Sequence, residues 1–182
     1  MNKVHEGRLR VRVAVFVCVS LIAVVIDQVT KLWALRALGD GRTVPVVKGL
    51  LSLTLVRNPG ASLGFGSGAT WVITLLAVAA CVALAVLAVR TTSMMWDAAF
   101  ALAFAGAFGN LIDRVVYAEG FLDGKVVDFL NYGWSVGNVA DVYLVVAGVA
   151  IVLMILLNVP FDERARGGKS AGSEREQGEE TA

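Results

Sequence analysis

The chain has 182 residues, 57% of them hydrophobic and only 17% charged, with a formal net charge of +1 and a mean hydropathy of +0.73. An ordinary globular domain carries about 25% charge, so this balance argues against a soluble domain, and its near-neutrality offers no basic grip on nucleic acid. The single histidine, His5, lies in a polar leader, which removes histidine triads, histidine zinc sites and histidine proton relays as easy explanations. Cys18 and Cys81 sit in apolar runs and read as small buried hydrophobes without a disulfide. Any chemistry must use carboxylates, amides or hydroxyls.

Crossing about 30 Å of hydrocarbon takes roughly 20 mostly apolar residues, and four stretches approach that length. The first follows a basic leader (Lys3, Arg8, Arg10, Arg12), has an uncharged core from Val13 to Ile26 and continues through Asp27 to Leu35. Its resemblance to a signal peptide is outweighed by the three spans after it. The others run over 70–89, 97–114 and 138–159, the last broken by Pro160. An even number of spans puts both ends on one side. The leader, Arg90 and the basic residues of the tail (Arg164, Arg166, Lys169, Arg175) favour the cytoplasm for it, although five basic residues lie in the first outer loop or just before it (Lys31, Arg36, Arg42, Lys48, Arg57).

The first outer loop, 36–69, holds the alternating run Leu51 to Val56 between Gly49 and Asn58-Pro59-Gly60, a strand followed by a turn. The second, 115–137, holds the strand-like run Val126 to Phe129, then Tyr132 and Trp134, suited to a headgroup interface. From Asp162 onward the chain is polar and reads as a disordered tail. The expected fold class is an all-α membrane protein: four transmembrane helices with a small extracytoplasmic β-sheet and a second interfacial outer loop. The expected organisation is a cytoplasmic leader (1–12), a four-span domain (13–159) and a cytoplasmic tail (160–182).

Parity of crossing places Asp27, Asp113 and Asp141 at one membrane face, and Asp128 in a loop on that same side. Acids near a bilayer are costly and mark function by default. The plain alternative is that each caps a helix or pairs locally, since Asp141 sits near a helix start and Asp27 one turn before Lys31. Asn110 precedes Asp113 by three residues and Asn138 precedes Asp141 by three, so each helix end pairs an Asn with an Asp on one face. Arg114 does not face its neighbour Asp113 on a helix, and can hold a loop or substrate carbonyl as readily as neutralise that acid. Gly60-Ala61-Ser62-Leu63-Gly64 fits the G-x-S-x-G nucleophile elbow, but that motif needs a histidine, and His5 falls across the membrane. On residue chemistry a membrane aspartic enzyme competes with an ion- or proton-coupled carrier and with a non-enzymatic assembly subunit. Acids clustered at one face and the lack of repeated halves weigh against transport.

Five blocks resemble the lipoprotein signal peptidases, the signal peptidase II family of bacterial membrane aspartic proteases. They are Asp27 to Lys31 (DQVTK), Arg57 to Ala61 (RNPGA), Gly106 to Arg114 (GAFGNLIDR), Val126 to Phe129 (VVDF) and Asn138 to Asp141 (NVAD), spread over most of residues 13–157. Gly137 stands where that family usually has Phe, and the polar tail is long; neither removes a candidate catalytic group. The resemblance implies that Asp128 and Asp141 form the catalytic pair. It implies a prolipoprotein substrate whose lipobox cysteine already carries diacylglycerol, cut just before that cysteine, and no metal or organic cofactor. Asn58, Asn110, Asn138 and Arg114 would position the substrate backbone or hold the acids in register, and Asp27 and Lys31 would brace the outer end of span one. Gly60, Asp113 and Ala140 would support them, with Asp113 the replacement should the pair be wrong. The expected unit is a monomer in the bacterial cytoplasmic membrane, partnered by prolipoprotein and membrane lipid, with its site near the outer leaflet. The amphipathic outer segments are expected to cover the loaded site.

Overall fold

Four helices account for most of the fold in a computed structural model that describes residues 3–60 and 67–162. They are α1 (Lys3–Ala37), α2 (Thr70–Arg90), α3 (Met94–Val116) and α4 (Val139–Leu156), each long and apolar enough to cross a membrane. Helix α2 has no charge before Arg90 and shows Leu76, Val82 and Val89 outward, as a helix that is apolar on every side does when lipid is its solvent. Helix α1 similarly exposes Val17, Leu21, Ile22, Val25, Ile26 and Val29.

Helix α3 is the inner one: half of its most apolar window is buried inside the protein, against 17% for each of the other three. Its composition explains this, because Ala99, Ala101, Ala103, Ala105, Gly106 and Gly109 are buried small residues that let neighbouring backbones come close. A Cβ on Gly106 would lie 2.6 Å from the Ala140 carbonyl oxygen and 2.7 Å from Leu144 Cγ, so α4 packs directly on the glycine.

Helices α1 and α3 run toward a four-stranded antiparallel sheet, and α2 and α4 run away from it. The strands β1 (Thr43–Val47), β2 (Leu51–Asn58), β3 (Val126–Asn131) and β4 (Val136–Gly137) lie side by side in that order. Strand β2 comes from the first connection and β3 from the second, with Val56 opposite Asp128 and Asn58 opposite Val126. The expected second interfacial loop is therefore half of the same sheet. Ala34, Leu38 and Phe129, packed with Leu53, Leu55 and Val139, fix that sheet on the ends of α1 and α4.

At the far end of the bundle Trp96, Phe100, Ala88 and Met154 form a second apolar cluster with Phe161. The chain past α4 turns back onto the α2–α3 connection: Thr91 Oγ1 donates to the Phe161 carbonyl at 2.7 Å, and Trp96 Nε1 to that of Val159 at 3.2 Å.

Several boundaries differ from expectation. Helix α1 starts at Lys3, so the basic leader is its first turns; Lys and Arg are good helix formers and lengthen the apolar helix rather than interrupt it. Helix α3 starts at Met94, and α4 stops at Leu156, four residues before Pro160. Cys18 faces outward on α1 while Cys81 is buried on α2, and both are free thiols; in a membrane helix an outward position is still apolar. The G-x-S-x-G serine and the tail from residue 163 lie outside the described residues.

Candidate active site

Two acids, Asp128 on β3 and Asp141 in the first turn of α4, meet at the sheet end of the bundle through one asparagine. Asn138 is the N-cap of α4: its side chain accepts from the Asp141 N–H at 3.1 Å, and its own N–H donates to Asp141 Oδ2 at 3.0 Å, a reciprocal capping box. The same residue donates its side-chain amide to Asp128 Oδ1 at 2.6 Å and to Asn110 Oδ1 at 3.0 Å. Asn110, on α3, donates in turn to Asp141 Oδ1 at 2.9 Å. The two carboxylates are thus held in one network while each keeps acceptor capacity.

Asp128 is 2% exposed. Its second oxygen accepts from Asn58 Nδ2 at 2.8 Å; Asn58, two residues beyond the partner position Val56, shares the strand face that Asp128 uses. Burial pushes the Asp128 carboxyl up to about 6, with the nearby Asp141 adding to the rise and the Asn58 and Asn138 donors and the Lys31 charge opposing it. The Tyr132 phenol is also pushed up, first by burial and then by Asp141 and Asp128, which puts this aromatic within electrostatic reach of both acids. A cleft of about 250 Å³ opens beside Asp128, lined also by Asn58, Pro59, Ser135 and Val136.

Below this layer lies a buried ion cluster. Lys31 Nζ is 2.9 Å from Asp27 Oδ2 and 2.9 Å from Asp113 Oδ2, with all three side chains no more than 2% exposed. The ammonium also donates to Asn110 Oδ1 at 3.0 Å. Asp27 Oδ1 accepts from the Ala140 N–H at 2.9 Å, and Asp113 Oδ2 from the Val127 N–H at 3.0 Å. Each of these acids therefore holds the backbone next to one of the upper pair. Asp27 does more than brace the end of α1, because it ties α1 to α4. Arg114 forms no direct ion pair with Asp113; its guanidinium donates to the Gly60 carbonyl at 2.8 Å and to that of Asn110 at 3.2 Å, holding the loop after β2 on α3. Gly60 is held a second time, its N–H donating to Asn58 Oδ1 at 2.9 Å.

All eleven residues singled out from the sequence converge here. Residue-by-residue reading missed Gln28, whose Nε2 reaches Asp27 Oδ2 at 3.0 Å, the Gly109 carbonyl at 3.1 Å and Asp113 Oδ1 at 3.3 Å. An amide inside an apolar span is itself a signal, and it was available. It also missed Gly109, where a Cβ would lie 2.5 Å from Asp27 Oδ2. Among the described residues no three His, Cys, Asp or Glu side chains are grouped so as to hold a metal ion.

A family model described as signal peptidase (SPase) II matches residues 19–157. A lipoprotein signal peptidase of Bifidobacterium adolescentis is 67% identical over 175 residues, 94% of each chain. One of Mycobacterium avium is 37% identical over 162 residues, 88% of each. Two solved structures, each described as a bacterial membrane enzyme, share the fold. One has a TM-score of 0.68 at 28% identity, covering 81% of this chain and 93% of its own. The other has 0.67 at 30% identity, covering 78% and 92%.

Proposed function

Because the chain belongs to the signal peptidase II family, membrane aspartic proteases that remove signal peptides from prolipoproteins, we propose that Asp128 and Asp141 are its catalytic pair. The observation that carries this is the Asn138 bridge, which donates to Asp128 through its side chain and to Asp141 through its backbone. Asp128 of this pair also borders an open cleft. Asp27 and Asp113 have their oxygens committed to Lys31 and to backbone N–H groups.

Two close carboxylates cannot both ionise easily, so the pair holds one shared proton. The ionised member takes a proton from water as that water attacks the scissile carbonyl carbon, and the protonated member hydrogen-bonds the carbonyl oxygen. The tetrahedral intermediate then collapses. The peptide C–N bond breaks, a dyad proton passes to the departing amine of the cysteine, and the signal peptide leaves as a carboxylate. No covalent acyl-enzyme forms. Asn58 and Asn138 hold Asp128, Asn110 and Asn138 hold Asp141, and Arg114 fixes the Gly60 loop at the rim.

The substrate is a prolipoprotein whose lipobox cysteine already carries diacylglycerol. Support comes from the setting: helices exposing aliphatic side chains run up to the cleft beside Asp128 at the sheet end, so acyl chains can lie against the spans while the peptide bond reaches water. Both termini lie in the cytoplasm and the site faces the outer leaflet. The basic residues of the first turns of α1 and Arg90 at the end of α2 support that orientation.

The test is cleavage of a diacylglyceryl-modified lipobox peptide by the purified protein in lipid, against the same peptide unlipidated, with the cut mapped by mass spectrometry. Cleavage before the cysteine of the lipidated peptide alone is expected. Equal turnover of both peptides would remove the lipid from the recognition account.

A further inference from the structure

The buried ion cluster has a symmetry that its position along the chain does not suggest. Asp27 accepts the N–H of Ala140, the residue before Asp141, and Asp113 accepts the N–H of Val127, the residue before Asp128. Lys31 Nζ sits between the two acids, 2.9 Å from each. Its third contact is Asn110 Oδ1 at 3.0 Å, and Asn110 itself donates to Asp141. A longer contact reaches the Gly109 carbonyl at 3.5 Å, so the three shortest contacts of the ammonium go to three groups that each lead to the pair.

We infer that Lys31 is a positioning residue that sets the separation of the two catalytic carboxylates, by drawing together the acids that clamp the backbone beside each of them. This rests on the Asp128 and Asp141 reading above. Asp128 rides on β3 and Asp141 on α4, elements from different parts of the fold, and the separation of the two acids is a tertiary distance that neither element controls alone. The clamps fix each strand or helix start against α1 and α3, and the ammonium fixes one clamp against the other. A lysine suits the task because its three donors point as a tripod, whereas the planar arginine fork serves acceptors lying in one plane. Gln28 spans the same two acids from the side, with bonds to Asp27 and Asp113. Gly109 leaves the space in which Asp27 sits, since a side chain there would meet its carboxylate.

A purely structural role and a positioning role differ in what they move. If Lys31 only stabilises the bundle, its loss lowers the amount of folded enzyme, leaves turnover per folded molecule unchanged, and moves the pH profile as a whole to higher pH, as loss of a nearby positive charge does, without changing its width. If it sets the carboxylate separation, the folded variant turns over slowly, and its bell-shaped kcat profile narrows because weaker coupling brings the two apparent pKa values of the pair together.

The experiment measures kcat, KM and the pH profile of Lys31→Met and Asp27→Asn protein on the lipidated lipobox peptide, normalised to folded enzyme by circular dichroism and thermal melting. Lys31→Met is expected to lose about 100-fold in kcat with little change in KM, the scale of a displacement near 1 Å, and to show the narrower bell. Removing the ammonium leaves two buried carboxylates without a counter-charge. Should that variant not fold, Asp27→Asn decides the matter: it keeps an acceptor for the Ala140 N–H and loses the ion pair, so roughly 10-fold lower kcat and a narrower bell are expected. Wild-type kcat and a bell of wild-type width in whichever variant folds would overturn the inference, even if the whole bell is shifted. Failure of the dyad reading would show separately, as turnover surviving in Asp128→Asn or Asp141→Asn protein.

Discussion

Asn138 donates its side-chain amide to Asp128 Oδ1 at 2.6 Å, across the junction between a strand and a helix. The residue has two duties that a single substitution separates, since its side-chain oxygen also caps α4 by accepting from the Asp141 N–H. Asn138→Asp keeps an oxygen for the cap, where Asp serves as well as Asn, but replaces the amide donor with an acceptor facing Asp128. Helicity is expected to stay at the wild-type level while kcat on a lipidated peptide falls about 100-fold. Circular dichroism and steady-state kinetics on one preparation check both halves.

Asn58 stabilises the ionised form of Asp128 through its 2.8 Å hydrogen bond, against burial that pushes that carboxyl up to about 6. Above that value the pair has lost its shared proton and has no acid to offer the carbonyl oxygen, so turnover is expected to fall as pH rises through about 6. Asn58→Ala removes a donor to the charged form and moves this alkaline limb to higher pH, by roughly half a unit to one unit. The kcat profile between pH 4 and 8 checks the direction; a limb that moves to lower pH contradicts the assignment.

Asp128 also makes stability depend on pH. Its carboxyl is raised from an ordinary 3.8 to about 6 in the folded protein, so folding favours the protonated form. That contribution is fully present below about pH 4 and is lost as pH rises through about 6. Asp128→Asn removes the dependence, and its stability relative to wild type is expected to be more favourable at pH 7 than at pH 4, by an amount on the order of 3 kcal/mol. Thermal melts at the two pH values measure it.

The approach of α4 to α3 depends on Gly106, where an added Cβ would meet the Ala140 carbonyl at 2.6 Å. Gly106→Ala is expected to destabilise the protein by about 1–3 kcal/mol, as overpacking does. It also displaces Ala140, whose N–H Asp27 holds, so kcat falls with it. A melt and a kinetic assay on the same variant read both effects.

The four spans are legible because long apolar runs bounded by charge have few other uses, and the acids are legible because each is conspicuous in such a run. Helix ends were harder: Lys and Arg continue α1 back to Lys3, which composition reads as a break. The pairing of β2 with β3 joins Asn58 to Val126 across the whole of α2 and α3 and leaves no local trace. The same limit hid the support of the site. Asp27 and Asp113 act on the backbone N–H groups of Ala140 and Val127, and a main-chain donor has no letter in the sequence. Arg114 reads from the sequence as a residue with two possible duties, and its contact with the Gly60 carbonyl depends on a folded position that the sequence does not display.

The catalytic pair is tested most directly by single-turnover cleavage of the diacylglyceryl-modified lipobox peptide with Asp128→Asn, Asp141→Asn and Asp113→Asn enzymes of verified fold. Abolished turnover is expected in the first two. Asp113→Asn keeps an acceptor for the Val127 N–H and is expected to retain a reduced but measurable rate. Wild-type-like cleavage by either Asp128→Asn or Asp141→Asn, with Asp113→Asn inert, would contradict the account and move the chemistry to Asp113.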